Sequence, residues 1–140
     1  SSDLPSRLDG LVRMRGWHEA FADLRPAAQP SIASGMPVVT DLRLLIPKAA
    51  YEWRDLNATT LAWNPQGLRE SHYQLTRSFP NQPGQDVLLL VDRPDPNEIL
   101  KAFTQVRLLK SSKVAIGPDR SIELYLFEAR GFKGYEAAQN

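Results

Sequence analysis

The 140-residue chain carries 17 basic against 16 acidic side chains, and a net charge of +1 gives no electrostatic footprint for nucleic acid. It has no cysteine, which removes disulfides and thiolate chemistry, and no apolar run near the roughly 20 residues that span a bilayer. With 42% hydrophobic and 24% charged residues, its composition is that of one globular domain able to bury a core.

The chain opens Ser1-Ser2-Asp3-Leu4-Pro5, with neither an initiator methionine nor a signal-like apolar stretch, and reads as a domain cut from a longer protein. Residues 1–10 are polar, contain Pro5 and Gly10, and read as a lead-in linker. A helix is predicted from Leu11 to Leu24, because Trp17, Phe21 and Leu24 recur at helical spacing beside Ala20. Arg25-Pro26 is expected to end it, leaving 25–37 as a loop. Pro37 to Asp41 is short and β-branched, a first strand. A helix from Pro47 to Arg54 follows, with the proline in its first turn and Ala50, Tyr51 and Trp53 facing inward. Thr59 to Trp63 is a second strand, stopped by Asn64-Pro65, and residues 69–77 are open between helix and extended chain.

The clearest signal lies between Asp86 and Phe103. Val87-Leu88-Leu89-Leu90-Val91 is an unbroken apolar run, the pattern of a strand buried on both faces. Pro94 and Pro96 forbid further pairing, and Asp95 is placed to cap a helix carrying Ile99, Leu100 and Phe103. Two β runs follow, Val106 to Leu109 and Lys113 to Ile116; the turn Gly117-Pro118-Asp119-Arg120 then joins the second to Ser121 to Ala129. This order predicts an α/β fold, a three-layer Rossmann-like sheet, mainly parallel, with a C-terminal antiparallel hairpin. It fills a single domain over 11–132, with a flexible tail at 133–140.

No turn after a strand has the glycines of a dinucleotide or phosphate-binding loop, so no nucleotide cofactor is expected. Two histidines, His18 and His72, without an HExxH pattern or cysteines give no metal site. Ligands of a parallel sheet collect beyond the carboxyl ends of its strands, where the order reverses. Asp41, Asn64 and Asp92 fall at such ends and are candidate ligand-binding residues, as are Trp63 and Tyr73, with Trp53, for stacking on a sugar and His72 between two loops. The plain alternative gives Asp41 and Asp92 to caps and turns, and the tryptophans to the core.

Taken in order, Gly16-Trp17, Val39-Thr40-Asp41 leading to Ala49-Ala50-Tyr51, Ser71-His72-Tyr73-Gln74-Leu75, and Asp86 to Val91 carry a resemblance. The chain resembles the C-terminal soluble domain of bacterial membrane glycosyltransferases, similar to protein O-mannosyltransferases and the aminoarabinose transferase, over roughly Arg15 to Phe132. The resemblance implies an extracytoplasmic, non-catalytic domain on the outer face of the cytoplasmic membrane, partnered by its own N-terminal transmembrane domain. It also implies a polyprenyl-phosphate-linked sugar donor, with the catalytic carboxylate in the membrane domain. Pro47 and the 64–70 loop depart from the family's pattern. Two other classes stay open: a small stand-alone α/β enzyme using the strand-end carboxylates, and a protein-interaction module with a free edge strand in Ser121 to Ala129.

Overall fold

In the computed structural model of the chain, residues 6–65 and 77–139 are described. Five strands form one sheet: β1 Val38–Thr40, β2 Thr60–Ala62, β3 Val87–Val91, β4 Phe103–Gly117 and β5 Arg120–Phe132. Their spatial order is β2-β1-β3-β5-β4. β1 pairs in parallel with β2 (Val39↔Leu61) and with β3 (Val39↔Leu89). β3 pairs antiparallel with β5 (Leu89↔Phe127), and β5 antiparallel with β4 (Val114↔Ile122).

The sheet is therefore mixed, with two parallel and two antiparallel ladders, and the expectation of a mainly parallel Rossmann-like sheet is overturned. The physical reason lies after β3. The expected helix is a single turn, α3 Asn97–Leu100, so Phe103 begins a strand instead of closing a helix face. The two β runs after it are one continuous 15-residue strand, irregular between Leu108 and Lys110, and β5 inserts between it and β3. Consequently β5 is an interior strand and β4 holds the edge, guarded by Lys110 and Lys113 as edge strands commonly are. Asp95 does not cap α3 through its side chain; Pro96 occupies the cap position, and Asn97 N–H donates to the Asp95 carbonyl at 2.8 Å.

The alternation of the strands sends side chains to two cores. On one face Val38, Leu88, Leu90, Leu124 and Leu126 meet α1 Ser6–Ala33 and α2 Leu45–Glu52. On the other, Val39, Leu89, Val91, Phe127 and Ala129 meet Ile99 of α3, Phe79, and Tyr135 of α4 Tyr135–Gln139. All five residues of β3 are buried, each aliphatic side chain contributing about 1.5–3 kcal/mol by leaving water. Residues 133–140, read as a tail, include α4, whose Tyr135 hydroxyl donates to the Phe79 carbonyl at 2.6 Å.

α1 runs 28 residues through Pro26 and Pro30, well past the expected stop. Ala20, Phe21, Leu24, Ala28 and Ile32 keep helical spacing across both prolines and all lie in the core, so packing outweighs the lost backbone bonds. Gly16 marks where α1 crosses the end of the hairpin. A Cβ there would stand 2.6 Å from Ile116 Cγ2, so only a bare backbone approaches this closely. Trp53 is buried as expected, its ring edge-on to Phe21 at 5.2 Å and its Nε1–H donating to the Phe21 carbonyl at 3.3 Å. Ala50 and Tyr51 face solvent instead, because α2 begins at Leu45 and buries Leu45, Ile46 and Ala49. No described helix is long and apolar enough to cross a membrane.

Candidate functional site

β1 lies between β2 and β3, so the connections leave it in opposite directions, and the switch point falls between the carboxyl ends of β1 and β3. Asp41 follows β1 there and Asp92-Arg93 follows β3. Thr40 sets the turn after β1, its buried Oγ1 accepting from Leu42 N–H at 3.1 Å.

Arg93 gathers the acids. Its Nη2 donates to Asp41 Oδ2 at 2.8 Å and also to Glu98 Oε1, and its Nη1 donates to Asp92 Oδ1 at 3.1 Å. The Asp41 contact above all holds the guanidinium's pKa above its ordinary value. Glu98, at the first turn of α3, is lowered first by its own backbone amide and then by Arg93. Asp41 Oδ1 is buried with no hydrogen-bond partner, an acceptor in reserve at the floor of this cluster. Three carboxylates around one guanidinium leave the locality negative, so it disfavours phosphate and suits hydroxyl donors.

Beside the cluster a cleft of about 360 Å³ is lined by Trp17, Leu42, Leu44, Asp92, Ile122 and Glu123. Trp17 and Leu44 also line an adjoining apolar groove of about 450 Å³ with Met14, Pro47, Lys48, Tyr51 and Glu52. The groove has an aromatic wall and a cation, Lys48 Nζ lying 5.0 Å from the Trp17 ring centre.

Of the sequence candidates, Asp41 and Asp92 are thus brought together on one guanidinium. Asn64 and Trp63 stand at the end of β2, away from the switch point. Asn64 N–H donates to the Tyr135 hydroxyl at 3.3 Å, and its Nδ2 to Ser78 Oγ at 3.4 Å. The half-buried Trp63 ring is engaged by the protein, with Tyr135 at 4.7 Å, Phe132 at 5.8 Å, Phe103 at 6.0 Å and Phe79 at 6.3 Å between centres. His72 and Tyr73 lie outside the described residues, as does the conformation of 69–76. His18, on α1, pairs through Nδ1 with Glu52 Oε1 at 2.8 Å. Among the described residues no group of three or more histidine, aspartate or glutamate side chains is placed to hold a metal ion.

Sequence reasoning passed over Arg93 and the groove. Arg93 was detectable as a cation at the strand end between Asp92 and Glu98. The groove depends on where α2 begins, which the sequence placed two residues late, at Pro47 instead of Leu45. No protein-family model, curated protein or solved structure matches the chain.

Proposed function

We propose that the chain is a non-catalytic extracytoplasmic domain of a polyprenyl-phosphate-sugar-dependent membrane glycosyltransferase, shaping the acceptor side or stabilising the transferase. The resemblance along Arg15 to Phe132 motivates the reading. The observation that carries its non-catalytic half is the arrangement around Arg93. Asp41 and Asp92, the carboxylates nearest the switch point, are both bound to one guanidinium instead of standing free to face a substrate. A hydrolase or transferase built on that pair would have to break these contacts before acting. The cleft between Asp92 and Trp17 supplies hydroxyl acceptors beside an aromatic wall, the chemistry of a sugar-bearing acceptor.

The test is turnover. The purified chain, given polyprenyl-phosphate-linked sugar with acceptor, or glycoside alone, is expected to leave both unchanged. Transfer or hydrolysis that Asp41→Asn or Asp92→Asn abolishes would establish the stand-alone enzyme instead. Reading the coding sequence upstream of Ser1 tests the other half: several apolar spans of about 20 residues are expected there.

A further inference from the structure

We propose that the outer edge of β4 is a docking site for an extended, acidic segment of a partner protein, which adds to the sheet as a further strand. The proposal goes beyond the transferase-domain reading and does not rest on it.

A sheet edge without a neighbour presents a row of unpaired backbone N–H and C=O groups that another strand can complete. The two edges of this sheet differ. β2 is closed from outside by residues 77–79, where Ala62 N–H donates to the Arg77 carbonyl and the Ala62 carbonyl accepts from Phe79 N–H, both at 2.8 Å. β4 has β5 on one side and no described strand on the other. Its pairing with β5 runs without interruption over residues 110–115, from Lys110 opposite Leu126 to Ala115 opposite Ser121. This stretch is a regular template. β4 contains no proline, and the Lys110, Ser111, Lys113 and Ala115 side chains are exposed.

Charge selects the occupant. β4 carries Arg107, Lys110 and Lys113 and no acidic residue. Arg107 is engaged across the ladder by Glu128 at 3.1 Å, whereas the two lysines have no ion pair among the described residues. Two acids flank the lysines, and both are engaged. Glu123, opposite Lys113, accepts from the Tyr125 hydroxyl at 2.9 Å, and Asp23 of α1 accepts from Ser112 Oγ at 2.7 Å. An added strand lies about 4.8 Å from β4 and about twice that from β5, beyond the screening length of about 8 Å at physiological salt, so it meets the lysines first. A second copy of β4 brings three more cations and no acid in any register, which disfavours self-pairing. The pleat adds a spacing rule. Leu126, Leu124 and Ile122 belong to the core under α1, so Lys110 lies on the α1 side of the sheet and Lys113, opposite Glu123, on the other. A partner strand that meets both lysines needs acids three positions apart, one for each face.

The probe is a fluorescent eight-residue peptide of threonine and valine with glutamate at its third and sixth positions. It is titrated into the 140-residue chain by anisotropy, and amide hydrogen exchange locates it. Saturable binding is expected, weakened by salt, with slowed exchange in β4. The same peptide with lysine in place of glutamate, or with a central proline, is expected not to bind. Moving one glutamate by a single position puts both acids on one face and is expected to weaken binding. Lys110→Gln and Lys113→Gln are each expected to weaken it by up to about fivefold, the scale of one cross-strand charge pair. The double variant Lys110→Glu with Lys113→Glu is expected to abolish it. Both side chains are exposed, and thermal melts confirm that each variant folds. No binding of the acidic peptide, equal binding of the lysine peptide, slowed exchange outside β4, or a dimer of the chain through β4 would each overturn the proposal.

Discussion

Arg93→Gln removes a cation on which three carboxylates converge, leaving Asp41, Asp92 and Glu98 to face one another at the sheet's switch point. The Asp41 and Arg93 side chains are 21% and 32% exposed, so solvent screens the loss only in part. A decrease in unfolding free energy of about 1–3 kcal/mol is expected in urea denaturation. Asp41→Asn placed on Arg93→Gln should recover part of it by removing one of the repelling charges. A double mutant no more stable than Arg93→Gln would place the stabilisation elsewhere in the cluster. At Trp53 the loss is of a different kind, since the side chain is buried against Phe21 and its indole hydrogen bond is internal. Trp53→Ala is expected to cost about 3–5 kcal/mol, a cavity effect visible as a lowered midpoint.

At the scale of elements, α1 shows how two glycines in one helix take opposite roles. Gly10 has no atom within 4 Å of a would-be Cβ, so Gly10→Ala is expected to stabilise the chain by up to about 1 kcal/mol through helix propensity alone. Gly16→Leu drives a side chain into Ile116 and Ile122, and is expected to destabilise by about 1–3 kcal/mol despite the better propensity. Parallel thermal melts of the two variants check both signs. This helix also shows what the sequence could and could not reveal. Trp17, Phe21 and Leu24 announced its inner face by spacing, but Pro26 announced an end that core contacts at Ala28 and Ile32 override. Likewise Val87 to Val91 was legible because no other described element holds five consecutive buried aliphatics. The single-turn α3 was not legible, because Ile99, Leu100 and Phe103 fit a helix face as well as they fit a turn entering a strand. That ambiguity, with the merging of two expected β runs into β4 and the insertion of β5 beside β3, converts a mainly parallel sheet into a mixed one. At the site, the position of Asp41 and Asp92 could be read from strand ends, whereas their common partner required the register of β1 against β3.

Across the whole molecule, the shifted groups predict a stability plateau bounded on both sides by pH. Glu98, Asp55 and Glu128 all have lowered pKa values, held down by the Glu98 backbone amide and Arg93, by Arg25, and by Arg130 respectively. Their unfolded values lie near 4, about 3.9 for Asp and about 4.3 for Glu, so at moderately acid pH the unfolded chain binds more protons than the folded one. The contribution of these pairs is therefore complete above the unfolded values and is lost as pH falls through the folded ones. Tyr125, raised by its hydrogen bond to Glu123, and Tyr135, raised by burial, act in the opposite sense. Their contribution is complete below about pH 10 and is lost as pH rises through the folded values. Melting temperature measured against pH should thus be flat through the neutral range and fall at both ends. Arg130→Gln is expected to lower the plateau slightly while flattening the acid limb, because it removes the main restraint on Glu128. Tyr135→Phe should flatten the alkaline limb at a cost of about 1 kcal/mol for the lost bond to Phe79. An acid limb that keeps its slope in Arg130→Gln would assign acid unfolding to other carboxylates, and added salt should weaken these exposed pairs in either case.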